Sequence, residues 1–174
     1  MLHVKEGEII GINCIFQLHK LLYDHSGNTL KDFLGLINST NPSIIVMAEQ
    51  GTEHNDVVLE QRVSNSLKYY SAIFNCIDYV VSLQYNNQIK IEEMFGREIR
   101  NIIACEGLER FEHHVAFDQW GRLMTALGGL VNVGVNDQKF VQSKMILKMY
   151  GASLLKVEKK MFDGGMASGI MLSW

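Results

Sequence analysis

Pro42-Ser43-Ile44-Ile45-Val46-Met47-Ala48 is an apolar run opened by the chain's only proline. From Ser43 to Ala48 it reads as a buried β-strand, with Pro42 fixing its entry. A second run of this kind, Ile9-Ile10-Gly11-Ile12 within Glu8 to Asn13, lies upstream. Between them Ile15, Leu18 and Leu22 mark a helix over about Cys14 to Tyr23. Ser26-Gly27 breaks it, and Asn28 is placed to cap a second helix running to about Ile37. Two apolar strands separated by ~30 residues of helix have the spacing of a βαβ unit. Their near-continuous hydrophobicity predicts a parallel sheet covered on both faces. The fold class is therefore α/β.

The rest of the chain is mostly helical by pattern. Leu59, Val63, Leu67, Tyr70, Phe74 and Ile77 make one stripe over about Asp56 to Asp78, with Asn55 or Asp56 as its cap. Ile91, Phe95, Ile99, Ile102 and Ile103 make another from Gln88 to Glu106, where Gly107 is a natural stop. Further helices are predicted at Phe117 to Leu127 and Lys139 to Tyr150, with a short strand at Val131 to Val135. Leu154 to Glu158 and Ile170 to Trp174, joined through Asp163-Gly164-Gly165, predict an antiparallel hairpin at the sheet edge. The two most apolar strands come first, whereas in a doubly wound sheet such strands sit at the centre. The pattern is that of the second half of an α/β domain.

The 174 residues, 47% hydrophobic and 20% charged, describe a globular chain able to bury a core. A formal charge of −3 gives no drive toward DNA or an anionic membrane. Lys156, Lys159 and Lys160 are interrupted by Glu158 and read as a solvated face. Cys14, Cys76 and Cys105 are too few and too widely spaced for a disulfide framework, and suit buried free thiols in a reducing compartment. Met1 to Gly7 lacks the long apolar run of a signal peptide, and no stretch approaches the ~20 apolar residues of a membrane span. Secretion and membrane insertion are not expected.

The search for chemistry is largely negative. No dinucleotide fingerprint, phosphate-binding loop, nucleophile elbow or zinc-protease helix is present. Glu49, Glu53 and His54 follow the second strand, where α/β sheets place ligands, and could work as acid and base; a polar loop is the plainer reading. His113-His114 beside Glu112 suggests a metal, but adjacent side chains point in different directions, so a solvated polar turn is expected. Leu18-His19-Lys20-Leu21-Leu22 fits L-x-x-L-L, with Leu18, Leu21 and Leu22 as candidates for docking in a partner's groove; packing against this chain's own sheet is the alternative. Catalytic, cofactor and metal residues are otherwise not assigned.

The wording of several segments carries more. Pro42, then Leu67-Lys68-Tyr69-Tyr70-Ser71-Ala72-Ile73-Phe74, then Gly96-Arg97-Glu98-Ile99 resemble the three parts of the PFYRE region of GRAS domains. That plant family contains the scarecrow-like and DELLA regulators. Ala48-Glu49-Gln50-Gly51-Thr52-Glu53-His54-Asn55 resembles its E-Q-x-x-x-H-N segment, and Ile12 to Leu22 the stretch before it. Arg110 with Glu112 and His114, and Trp120 with Gly128, resemble the opening of the SAW region. Gln142 to Leu147 and the strand ending at Trp174 continue the match. The family positions are thus Pro42, Tyr69, Tyr70, Arg97, Glu98, Arg110, Glu112, Trp120, Gly128 and Trp174.

The resemblance implies the C-terminal half of a Rossmann-like, methyltransferase-like doubly wound sheet with helices on both faces. It implies a partial GRAS domain over residues 1–174, without the first leucine-rich region, the VHIID region or the terminal Ser-Ala-Trp. Leu127 to Val131 and Phe162 to Gly169 depart from the pattern. The implied role is plant transcriptional regulation in the nucleus, without enzymatic activity or cofactor. It would work through contacts with transcription factors or other GRAS proteins, with DNA association indirect and dimers open. Two alternatives stand beside it: a gene fragment that is inactive or interferes with a longer relative, and a methyltransferase-like small-molecule enzyme.

Overall fold

Gly11–Ile15 (β1) and Ile44–Ala48 (β2) pair in parallel, with Gly11 opposite Ile44 and Ile15 opposite Ala48. The parallel pairing is the one the two apolar runs predict, but β1 starts later than its run, with Ile9 and Ile10 outside it and Ile9 exposed. The computed structural model describes residue 5 and residues 7–24, 26–80, 85–149, 156–161 and 168–173. It divides into two compact units, Met1–Phe117 and Asp118–Trp174.

The segment joining the strands differs from its expected form. No helix runs from Cys14, because β1 continues to Ile15 and only Leu18–Leu22 coils, as a 3-10 turn. Phe16, at φ 51°, turns the chain out of the strand and donates its N–H to the Ala48 carbonyl at 2.9 Å. Helix α1 follows at Asn28–Asn38. Asn28 is its first residue rather than its cap. Gly27 takes the cap position at φ 72°, and the Asp24 carboxylate accepts the Asn28 and Thr29 amides at 3.2 and 2.8 Å.

Among the described residues the sheet is not covered on both faces. Ile12, Cys14, Ile45 and Met47 lie on the more sheltered face, while Ile15, Ile44 and Val46 are exposed on the other. Strand partners in a parallel ladder point to the same side, so these exposed residues form one apolar strip.

Helices α2 (Leu59–Val80) and α3 (Tyr85–Ala104) pack on each other around Tyr70, Ile73 and Ile102. Tyr69, Phe74, Ile77, Phe95, Ile99 and Ile103 complete the cluster. The α3 stripe agrees with its sequence pattern. On α2 the pattern holds only from Tyr70 onward. In the first turns Leu59, Val63 and Leu67 are exposed, and Arg62 and Ser66 are buried instead. The reason is polar: Arg62 Nε donates to the Ile102 carbonyl at 3.1 Å, near the end of α3. Its Nη1 reaches the Asp56 and Val57 carbonyls, and its Nη2 pairs with Glu106.

In the second unit, α4 spans Phe117–Gly128 and closes on Gly129 at φ 61°. Helix α5 spans Asp137–Met149. The strand expected at Val131 to Val135 does not form; no strand pairs with it among the described residues, and Val131 and Val133 are exposed. Lys156–Met161 (β3) and Ser168–Ser173 (β4) make the expected antiparallel hairpin. It forms a two-stranded sheet of its own rather than an edge of the β1–β2 sheet. Trp174 lies outside the described residues. All three cysteines are free thiols, Cys14 buried.

Candidate functional site

Glu49 leaves the end of β2 and turns back over the 3-10 turn. One carboxylate oxygen accepts the Gln17 and Leu18 amides at 3.0 and 2.7 Å. The other meets His19 Nδ1 at 2.7 Å. A helical turn presents unpaired amides at its start, and a carboxylate there satisfies them. His19 is thereby fixed in a single orientation, fully enclosed.

A second wall comes from the extended segment after α3. Asn101 near the end of that helix accepts the Phe111 and Glu112 amides, each at 2.9 Å, and donates to the Glu109 carbonyl at 2.8 Å. This pins residues 109–112 in place. Along an extended chain alternate side chains share a side, so Glu112 and His114 face inward together while His113 points elsewhere. His113 Nδ1 lies 2.6 Å from Asn55 Oδ1, and its Nε2 donates to the Arg110 carbonyl at 2.7 Å. The expectation of a solvated turn is thus overturned: Glu112, His113 and His114 are all buried.

Around His19 these walls close into one network. Glu112 Oε2 lies 2.9 Å from His19 Nε2 and 3.4 Å from His114 Nε2. The His19 and His114 rings stack with centroids 4.3 Å apart. His114 Nδ1 contacts His54 Nδ1 at 3.3 Å, and His54 Nε2 contacts Thr52 Oγ1 at 3.2 Å. Glu98 approaches His114 Nε2 at 3.9 Å and accepts the Gln50 amide at 3.0 Å. His54 stacks on Tyr70 and meets the edge of Tyr69. Arg110 Nη1 donates to the His54 carbonyl at 3.1 Å.

The electrostatics separate three histidines. Burial disfavours a charge on His19, but the adjoining Glu112 and Glu49 carboxylates outweigh it and raise its pKa to about 9. Burial lowers His54 to about 4. His114 falls to about 2, through burial and then the His19 charge. Glu98 is raised, first by burial. Tyr69 is pushed up to about 12 by burial and Glu98, and Tyr70 further for the same reasons.

Five of the ten family positions meet here. Tyr69, Tyr70, Glu98, Arg110 and Glu112 lie in or against the network, as do Gln50, His54 and His114. Of the acid–base trio, Glu49 and His54 belong to it. Glu53 stays at the surface, accepting the Ala116 amide at 3.2 Å. Arg97 is exposed, Pro42 half-buried, and Trp120 and Gly128 are buried in α4. Leu18 and Leu22 are buried and Leu21 half-buried, as packing within the chain requires. Sequence reading missed His19, which it quoted only as a middle letter of L-x-x-L-L. Its signal was an ionisable residue on the inward side of an apolar turn. Glu98 and Glu112 also border an open cavity of about 430 Å³, lined by Lys90, Glu93, Met94, Arg97 and Phe111.

The histidines and carboxylates of the network lie mainly against one another. Among the described residues no helix is long and apolar enough to cross a membrane.

The chain is 50% identical over 182 residues to Scarecrow-like protein 28 of Arabidopsis thaliana, covering all of this chain and 28% of that protein. It is 40% identical to Protein DWARF AND LOW-TILLERING of Oryza sativa subsp. japonica, covering 97% of this chain and 27% of the relative. It is 37% identical to DELLA protein RGL1 of Arabidopsis thaliana, covering 91% and 30%. The chain thus spans under a third of each of these relatives. In fold it matches the crystal structure of SCL7 in Oryza sativa, with a TM-score of 0.83 at 24% identity, over 98% of this chain and 46% of that one. The GRAS domain family model matches residues 1–174. With five of the motif positions gathered into one interior network and the family model matched from end to end, this chain belongs to the GRAS domain family.

Proposed function

We propose that this chain is the C-terminal part of a GRAS domain in a plant transcriptional regulator, and that it works by protein–protein contact in the nucleus. The observation that carries this reading is the inward turn of the motif residues. Tyr70, Glu98, Arg110, Glu112, His54 and His114 hold each other, so the motifs build a scaffold rather than a reaction centre. What remains for recognition is the outer surface, including the exposed Arg97 and Arg100 side of α3. Its partners would be transcription factors or other GRAS proteins, with DNA reached through them.

The finer architecture belongs to the same proposal. The parallel β1–α1–β2 unit supports a Rossmann-like, methyltransferase-like sheet of which this chain holds the later part. The exposed Ile15, Ile44 and Val46 strip supports a domain completed by further strands and helices, from the first leucine-rich and VHIID regions. The same strip is what an interfering fragment would use to associate with a longer relative.

The test is expression of the chain, fused to a fluorescent protein, in plant cells with a promoter reporter. Nuclear fluorescence is expected, with reporter output changed only when a DNA-binding transcription factor is co-expressed. Naked promoter DNA should show no gel shift. A sequence-specific shift by the chain alone would overturn indirect action. Saturable one-site binding of S-adenosylmethionine in calorimetry would overturn the non-enzymatic reading.

A further inference from the structure

We infer that His19, Glu112 and His114 form a binding site for a divalent transition metal, with zinc the best fit. His19 Nε2, Glu112 Oε2 and His114 Nε2 lie within 4.8 Å of one another, and all three residues are buried. By bond angle none of these three enclosed atoms completes a hydrogen bond among the described residues, although His19 Nε2 and Glu112 Oε2 stand 2.9 Å apart as a charge pair. Native interiors leave few such atoms, and three converging on one point is the signature of a shared ligand.

The spacing suits a metal. Four-coordinate zinc with bonds of ~2.1 Å holds its donor atoms about 3.4 Å apart. Two of the three donor separations are 2.9 Å and 3.4 Å and the third pair, His19 Nε2 and His114 Nε2, lies within 4.8 Å, so the donors and the two stacked rings would shift to take up the ion. Glu98 Oε1, 3.9 Å from His114 Nε2, is within reach as a fourth ligand. An open cavity lies beside Glu98 and Glu112, and a water would complete the shell if Glu98 stays out.

The surroundings orient the donors as metal sites require. Glu49 accepts the Nδ1–H of His19, so that once Nε2 gives up its own proton to an incoming cation its lone pair is held toward the site. Such carboxylate–histidine pairs are the usual support of a metal-bound imidazole. On the other side two proton arrangements link Thr52, His54 and His114. In one, His54 donates to Thr52 and His114 Nδ1 donates to His54, so a bare His114 Nε2 faces a carboxylate oxygen and calls for a cation between them. In the other, His114 Nε2–H points at Glu112 across 3.4 Å, long for a charge-assisted bond of ~2.8 Å. The charges agree with the first. Glu49 and Glu112 both face His19, and a dication bound to two neutral imidazoles would balance these two carboxylates.

Two imidazoles and a carboxylate favour zinc over magnesium or calcium, which take oxygen ligands. The ion would tie the 3-10 turn after β1 to the segment that follows α3. The site would be structural, independent of which partners the surface recruits.

The test is titration of the chelator-stripped chain with Co²⁺, read by its visible d–d bands, followed by displacement with Zn²⁺. One equivalent in a four-coordinate spectrum is expected. A higher melting temperature is expected with Zn²⁺ and none with Mg²⁺ or Ca²⁺. Glu112→Gln and His114→Gln should abolish the bands. Glu49→Gln, which touches no metal, should weaken affinity ~10- to 100-fold. His113→Gln, facing away, should leave binding intact, as should a variant with all three cysteines changed to serine. Because the ligand variants remove buried partners, circular dichroism is recorded on each, and ¹⁵N shifts of His19 are read in the unmutated chain with Zn²⁺ present. No uptake by the folded chain, uptake indifferent to Glu49→Gln, or a His19 ring that keeps both protons with Zn²⁺ added would each overturn the assignment.

Discussion

Arg62 of α2 and Ile102 of α3 are joined by a hydrogen bond of 3.1 Å from the guanidinium Nε to the backbone carbonyl, 40 residues apart in sequence. The bond closes the end of one helix with a side chain from the start of another. It also explains why α2 turns its first apolar residues outward: the helix is rotated to bring Arg62 inward.

Replacing Arg62 with methionine should therefore be costly, although methionine matches its length. The Ile102, Asp56 and Val57 carbonyls would lose their donor. A loss on the order of 3 kcal/mol in urea denaturation is expected, since enclosed carbonyls are left bare while the exposed Glu106 regains water. Arg62→Lys should recover less than half, because an ammonium cannot reach all four acceptors in the planar fork geometry.

Asn101→Ala should destabilise by about 1–3 kcal/mol in the same measurement. Three backbone groups, the amides of Phe111 and Glu112 and the carbonyl of Glu109, depend on its side chain. Asn101→Asp should be nearly as harmful, since it keeps the acceptor, removes the donor and adds a charge.

Asp24 offers a pH test. Its carboxylate is held well below the usual range by the Thr29 amide first, with help from Ser26 and the Thr29 hydroxyl. A carboxylate whose folded pKa is depressed adds stability above its unfolded value, near 3.8, and loses it as pH falls through the folded value. Asp24→Asn should melt at a lower temperature than the parent at pH 7. The gap should narrow steadily below pH ~4. A gap unchanged down to acid would mean that charge plays no part in this cap.

Leu18→Ala and Leu21→Ala should separate within the L-x-x-L-L segment. Leu18 is 1% exposed, and its truncation should cost about 2–5 kcal/mol in thermal or urea melts. Leu21 is half-buried and should cost less than about 2 kcal/mol. Equal costs would mean that the turn does not pack as described.

Much of the fold follows from pattern alone. The run at Ser43–Ala48 carries its own strand signal, the run at Ile9–Ile12 marks only the start of β1, and the α3 stripe at Ile91, Phe95, Ile99 and Ile102 carries its own helix signal, because burial selects apolar side chains at the period of the element. The family was legible for a related reason: the words around Tyr69-Tyr70, Arg97-Glu98 and Arg110 to His114 keep their order and spacing. Periodicity failed where polar groups took the inside. Arg62 and Ser66 displaced Val63 and Leu67, Asp24 capped a helix assigned to Asn28, and Glu49 drew Gln17 and Leu18 into a short turn where a longer helix was expected. Each involves a hydrogen bond whose partner cannot be known before the chain is folded.

The interior network marks the same division. Sequence determined that Glu49, His54, Glu98, Glu112 and His114 exist in recognisable phrases. Only tertiary structure decided that they converge on His19, because strand ends, a helix terminus and an extended segment had first to be brought within ångströms of one another. Apolar pattern acts locally and is written residue by residue. Charge pairing depends on distance in space, and that distance is a property of the folded chain.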